Sequence, residues 1–421
     1  AAAGFPSLRL ANLASLKHPL SIDTYVDNTL TGAKAILIRL IGGMPYWSYG
    51  LQQVEALARA QGMALAVLPA DGRQDPRLDA VSTVPHSTLR QLQHLCDTGG
   101  PVAAQAALAQ LALAAGLYAS PVRGSKVLPS VGGWTPEEGV CCPARFGLCS
   151  PRPRIIVTFY RAYLVAADLQ PVTALFNALR HRGFDVFGLF APSLKAPDAS
   201  GWIARQIAAL APAAIVNATA FSGKGQSAAS PLDAGEVPVF QVALATSTAK
   251  AWAGSERGLS PADLAMHVVL PEVDGRLFAG VASFKEPQVR DDALEFERFA
   301  HCPEPDRLEA IADRVRSWVD LAGKGNADKR VSLVLSTYPG KTWQMAHAVG
   351  LDALASASAI LQDLDGAGYV VDGLEEPLDQ ALAAETIAWP LSDYRSALQQ
   401  LPETLRRDLT AAWGHPQDDP A

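Results

Sequence analysis

From Arg154 to Val242, short apolar runs alternate with amphipathic stretches, and this alternation narrows the possible folds more than any other feature of the chain. Ile155-Ile156-Val157-Thr158-Phe159 has the length and near-continuous apolarity of a strand buried on both faces. Helical spacing follows from Leu169 to Arg182, then a strand from Asp185 to Phe190, a helix from Gly201 to Leu210 and a strand Ala214-Ile215-Val216-Asn217. After a polar loop from Ser222 to Gly235 comes a last strand, Val237 to Val242. Strand, helix, strand in repeated order calls for parallel pairing with right-handed crossovers. The pattern predicts an α/β fold of successive doubly wound parallel-sheet units with added helices, in a multi-domain chain.

The same order appears nearer the amino terminus. Ala35 to Ile41 is an apolar run closed by Gly42-Gly43, helical spacing covers Ser48 to Ala60, and Ala64 to Leu68 is a second strand. Two Ala/Leu helices are expected near Ser87–Cys96 and Val102–Tyr118. Between Ser120 and Arg154 the periodicity is lost while Pro, Gly and Ser accumulate, as in a connection between domains. The expected organisation is an amino-terminal α/β domain over 1–119, a linker or surface loop over 120–153, a second α/β domain over 154–297, and the start of a further α/β and helical region over 298–421. In that last region Asp306 to Ala322 reads as an amphipathic helix and Val331 to Leu335 as a strand.

A length of 421 residues agrees with two or three domains at roughly 150 residues each. Basic residues number 35 against 42 acidic ones, a net charge of −7, so there is no basic field to hold a phosphate backbone and nucleic acid is not an expected partner. Five cysteines, with Cys141, Cys142 and Cys149 crowded together, do not form a secreted disulfide framework, and a reducing cytoplasm is the expected location. The uncharged stretch between Asp97 and Arg123 is Ala-rich, carries Gln105 and Gln110, and reads as a buried helix rather than a membrane span.

Several strings imitate known motifs without completing them. Leu335-Ser336-Thr337-Tyr338-Pro339-Gly340-Lys341-Thr342 ends like a phosphate-binding loop, but Leu335 stands where its first glycine belongs, and Pro339 lacks an N–H to offer a phosphate oxygen. Ser247-Thr248-Ala249-Lys250 has the Ser-x-x-Lys spacing without its companion strings. Gly42-Gly43 lacks the full dinucleotide fingerprint, and the three clustered cysteines have no histidine near enough to complete a structural zinc site. No resident cofactor is expected from these strings, and no metal ligands can be named.

In an open α/β sheet, ligands bind beyond the carboxyl ends of the strands. The polar residues at those ends are Tyr160, Arg161, Asn217, Thr219 and Gln241, and they are the candidate substrate-binding residues. An arginine among amide and hydroxyl groups suits an anionic or amide-bearing ligand, because guanidinium pairs with carboxylate through two parallel bonds.

Three further strings carry a resemblance: Leu259-Ser260-Pro261-Ala262-Asp263-Leu264-Ala265-Met266-His267-Val268, Leu270-Pro271-Glu272-Val273-Asp274-Gly275-Arg276 and Ala282-Ser283-Phe284-Lys285-Glu286. With Pro6 to Asn12, Arg39 to Gly43, Phe159 to Ala162 and Val349 to Asp352, they are collinear with the CobN family, the large subunits of aerobic cobaltochelatase, to which the large subunits of magnesium chelatase are related. The chain departs from that family at Trp343, Ala346, His347 and Ala348, where glycines and an asparagine are usual. The family's His-Gly segment ending in Glu is not found in these residues, so the resemblance implies an amino-terminal portion lacking the full catalytic centre.

The implied reaction is ATP-dependent insertion of Co(II), as substrate ion, into hydrogenobyrinic acid a,c-diamide in cobalamin biosynthesis. ATP would be used by AAA+ partner subunits and not bound by this chain. Two alternatives are a magnesium chelatase-type subunit and a non-catalytic module that captures a corrinoid or tetrapyrrole or docks the partners. A third, a nucleotide-dependent enzyme, would rely on Gly340-Lys341-Thr342. Insertion strips water from the ion and protons from the ring nitrogens, which asks for a carboxylate or imidazole within reach. Lys285 and Glu286 lie where a strand is expected to give way to a loop before Pro287. Lys285 is the candidate to answer a negative side group of the macrocycle, and Glu286 the candidate catalytic carboxylate.

Overall fold

The computed structural model describes residues 5–70, 74–124, 127–146, 150–225, 229–336, 350–372 and 389–418, with Pro377, Leu378, Gln380 and Leu382. Ala1–Val319 form one compact unit and Asp320–Ala421 a second.

In the first unit, β1 (Ala35–Leu40) pairs in parallel with β2 (Ala64–Pro69), Ala35 lying opposite Ala64. The intervening helix Ser48–Gln61 ends at Gly62, which takes the left-handed conformation (φ 65°) that closes helices at no steric cost. Successive side chains of β2 point to opposite faces. Leu65 and Val67 pack with Leu51, Val54 and Ala58 of that helix, while Ala64, Ala66 and Leu68 pack with Leu89, Leu92 and Leu95 of helix His86–Thr98.

A second sheet of eight strands follows. Its members are β3 (Gly132–Thr135), β4 (Gly139–Cys141), β5 (Arg154–Tyr160), β6 (Asp185–Ala191), β7 (Ala214–Asn217), β8 (Val239–Leu244), β9 (Leu277–Pro287) and β10 (Phe299–Pro303). Their spatial order is β10-β9-β8-β7-β5-β6-β3-β4. The five strands from β6 to β9 are all parallel, and the outer pairs on both sides are antiparallel. Counted from β5, the parallel strands stand in the order 2-1-3-4-5, a doubly wound sheet whose direction of winding switches between β5 and β7. Val157 and Phe159 pack with Phe176, Leu179, Ile311 and Val315 on one face, and Ile156, Ile215 and Val239 with Ile203 and Ile207 on the other. The predicted α/β architecture is therefore the one observed.

Three local readings differ from it. Within residues 120–153, β3 and β4 join the sheet edge instead of serving only as a connection. Short strands such as Gly132-Gly133-Trp134-Thr135 carry no apolar run to reveal them, and the close approach is encoded on the partner strand, where a Cβ at Gly188 would lie 2.8 Å from the Trp134 carbonyl oxygen. β10 and the start of helix Pro305–Ala322 pack with the second sheet rather than opening a new region. Val331 to Leu335 forms no strand: Val331, Leu333 and Val334 are exposed, and an extended segment without a neighbour has no ladder to join.

In the second unit, helix Ala353–Gly366 is capped by Asp352, whose Oδ1 accepts from the Ala355 N–H at 2.9 Å, and helices Leu391–Gln399 and Glu403–Trp413 follow. Gly340-Lys341-Thr342, Cys149 and the departures at 343–348 lie outside the described residues.

Candidate functional site

The crevice of a doubly wound sheet opens at the carboxyl ends of the strands where winding reverses, here between β5 and β7. The register places Thr158, Asn217 and Gln241 side by side across β5, β7 and β8. The Asn217 Oδ1 accepts from the Thr158 hydroxyl (2.7 Å), the Thr219 hydroxyl (2.8 Å) and the Thr219 N–H (3.2 Å). Its amide donates to Gln241 Oε1 (2.7 Å), and the Gln241 amide donates to the carbonyls of Thr219 (2.7 Å) and Val242 (3.1 Å). Asn217, Thr219 and Gln241 are thus brought together as foreseen, but at 2%, 1% and 0% exposure they satisfy one another and do not line an open cleft. Thr158 belongs to this row and was missed, because inside an apolar run a threonine reads as a β-former.

Tyr160 and Arg161 stand at the same crevice with different partners. The Tyr160 hydroxyl donates to the Ala220 carbonyl at 2.5 Å, tying β5 to the loop after β7, and burial raises its pKa. Arg161 donates to the carbonyls of Thr98 (2.5 Å), Leu128 (2.9 Å) and Pro129 (2.9 Å). Its fork is engaged by backbone from two other segments, where the sequence led us to expect a carboxylate or amide ligand. Burial lowers the guanidinium pKa, and three backbone acceptors compensate the charge there.

At Lys285 and Glu286 the expected loop does not form. β9 runs on through Pro287, with Lys285 opposite His301 and Glu286 opposite Ala300 of β10. In an uninterrupted strand neighbouring side chains face opposite sides, so these two do not point into one cleft. Glu286 Oε1 accepts from the Ala249 N–H at 2.6 Å, at the start of helix Ala249–Ala253.

Two buried histidines lie near this edge. His301 donates its backbone N–H to Asp168 Oδ1 (3.0 Å), its Nδ1 lies 3.3 Å from Ser283 Oγ, and its ring meets Tyr163 edge-on at 5.7 Å. His267 is 4% exposed, its Nε2 lies 4.0 Å from Asp263 Oδ1, and its Nδ1 has no hydrogen-bond partner among the described residues. Asp263 is itself fully buried and accepts from the Thr246 N–H (3.1 Å) and hydroxyl (2.9 Å) and from the Ser260 hydroxyl (3.0 Å). Burial pulls both imidazole pKa values down, against the raising effect of Asp263 on His267 and of Asp168 on His301, so both rings are neutral at pH 7. A neutral imidazole can accept a proton or lend a lone pair to a metal. No group of three or more metal-ligating side chains is gathered among the described residues. His267 was legible only as part of a family-like string, and isolated His301 gave no signal.

The string from Leu270 to Arg276 also has a visible task. Asp274 accepts from the Ser222 hydroxyl (2.8 Å) and the Gly223 N–H (2.6 Å), and Arg276 pairs with Asp233 at 2.7 Å, so this string holds both ends of the loop following β7.

Comparison with known proteins agrees with this picture. A family model described as CobN/Magnesium Chelatase matches residues 111–421. The aerobic cobaltochelatase subunit CobN of Pseudomonas aeruginosa is 35% identical over 99% of this chain and 35% of its own length, and that of a Sinorhizobium species 32% identical over 98% and 34%. A chloroplastic magnesium-chelatase subunit ChlH of Oryza sativa is 27% identical over 56% of this chain and 17% of its own. The solved catalytic subunit of cobaltochelatase from Mycobacterium tuberculosis superposes with a TM-score of 0.64 at 28% identity, covering 96% of this chain and 34% of that one. The chain spans about a third of the length of the cobaltochelatase subunits it matches. On a family match over most of its length and on this collinear identity, the chain belongs to the CobN/magnesium chelatase family.

Proposed function

We propose that this chain supplies a macrocycle-binding part of an ATP-dependent cobaltochelatase, the large subunit that inserts Co(II) into hydrogenobyrinic acid a,c-diamide. The observation that carries this reading is the 35% and 32% identity to two cobaltochelatase subunits over nearly the whole chain, against 27% over 56% of it for the magnesium-chelatase subunit. In this reading ATP is hydrolysed by AAA+ partner subunits in the cytoplasm, cobalt enters as substrate, and the crevice between β5 and β7 takes part of the corrinoid. Tyr160, Asn217, Thr219 and Gln241 act by fixing the loop after β7, and Arg161 by fixing the segments beside it. Glu286 stands beyond β8 at the same edge, where its carboxylate would assist the ion or the leaving protons, while Lys285, on the other face of β9, does not share that cleft.

A second reading, in which the chain only captures the macrocycle or docks the partner subunits, is favoured by the polar groups at the strand ends, which bond to each other and leave little free for chemistry. Titration of the chain with hydrogenobyrinic acid a,c-diamide, protoporphyrin IX and ATP, followed by Trp fluorescence, tests the proposal. Saturable binding of the corrinoid, weaker binding of the porphyrin and no response to ATP are expected. Tight ATP binding without a macrocycle response would refute it, and preference for the porphyrin would move the assignment to the magnesium branch.

A further inference from the structure

We infer that Phe221 is the aromatic platform on which the flat face of the macrocycle rests, an inference that builds on the function proposed above. Phe221 holds φ at +67°, a left-handed conformation that is a genuine outlier for a bulky residue, and the residue is 46% exposed. Glycine would take that conformation freely, so a phenylalanine there costs folding free energy without the return of a buried ring.

The surroundings leave the backbone of Phe221 little choice. The helical run 261–273 contains a π turn, Ala265–Val269, in which each carbonyl looks for an N–H five residues on. For Met266 that partner would be Pro271, which has no N–H. The Phe221 N–H fills the vacancy, donating to the Met266 carbonyl at 2.7 Å. On one side, the Ala220 carbonyl is held by the Tyr160 hydroxyl at 2.5 Å; on the other, Ser222 and Gly223 are held by Asp274 at 2.8 and 2.6 Å. The loop is thereby pinned from β5, from the π turn and from Asp274, and Phe221 remains exposed on it.

This happens at the winding switch, where ligands of such sheets bind. On the helix that receives the Phe221 N–H, Val269, Leu270 and Val273 are also exposed, at 49%, 38% and 72%. An exposed aromatic side chain on a pinned backbone, on a loop bonded to a helix with exposed aliphatic side chains, suits contact with the conjugated ring of a macrocycle whose carboxylate side groups stay in water.

The experiment compares wild type, Phe221→Gly and Phe221→Trp in the 421-residue chain, with hydrogenobyrinic acid a,c-diamide as probe. Phe221→Gly is expected to raise the unfolding midpoint by about 2 °C through relief of the left-handed residue and to weaken macrocycle binding about tenfold. Phe221→Trp should keep affinity within about threefold of wild type. Unchanged affinity in Phe221→Gly would overturn the inference. So would weaker binding joined to a lowered midpoint, which marks a packing residue. Failure of the wild-type chain to bind the macrocycle is a separate result, seen before any variant is made, and would overturn the proposed function and this inference with it.

Discussion

His267 and His301 are two imidazoles kept from water, each near a carboxylate, and their protonation is linked to folding. In the unfolded chain each takes a proton near its ordinary value of about 6.5. In the folded chain burial defers that protonation to lower pH. As pH falls below about 6.5 the unfolded state binds more protons than the folded one, so the stability present above that pH declines until the folded-state value has been passed. Asp263 and Asp168 oppose this by raising the imidazole values, whereas Lys285 adds to the lowering at His301 and His301 adds to it at His267; burial is the largest cause for both, so the direction stands. The thermal midpoint should therefore fall between pH 7 and pH 5, and by less in His267→Gln. An identical fall in that variant would show that His267 does not contribute.

At the scale of elements, β9 decides what its polar end can do. Continuation of the strand through Pro287 separates Lys285 from Glu286 and gives the Glu286 carboxylate a backbone N–H at the start of helix Ala249–Ala253. Glutamine keeps an oxygen for that N–H and removes the charge. Glu286→Gln in the full-length subunit is thus expected to fold and to bind macrocycle nearly as wild type while inserting cobalt more slowly, a loss in rate rather than affinity. The assay is metal insertion with the partner ATPase subunits and ATP present. A wild-type rate would leave Glu286 with its capping role alone.

For the first compact unit as a whole, the separate domains expected at 1–119 and 154–297 are in contact through named residues. Arg161 reaches the Thr98 carbonyl, a Cβ at Gly99 would fall 2.6 Å from the Val165 side chain, and Arg9 pairs with Glu295 at 2.7 Å. Arg161 thus holds the β5 crevice against helix His86–Thr98 and against Leu128 and Pro129. Hydrogen bonds to a charged group typically contribute roughly 1.5–3 kcal/mol, so Arg161→Ala should lower the urea midpoint and speed proteolysis near Leu128. Arg161→Lys should restore little, because one ammonium does not reproduce a planar fork. Wild-type midpoint and proteolysis in Arg161→Ala would return the arginine to the role of a free ligand donor.

The sequence by itself determined the architecture of the parallel strands: the apolar runs later seen as β1, β2 and β5 to β8, and their intervening helices. These are local properties, since a strand buried on both faces must be apolar throughout and a crossover helix must show one apolar stripe. It also placed Asn217, Thr219 and Gln241 together, because residues ending adjacent parallel strands share a row. Only the tertiary structure decided whether those groups face a ligand or each other, whether Arg161 meets a carboxylate or three carbonyls, and that Phe221 is forced into a left-handed turn. Each depends on partners distant in sequence, such as Thr98 for Arg161, Met266 for Phe221 and Ser283 for His301. A hydrogen-bond donor in a sequence carries no mark of which acceptor the folded chain will bring to it.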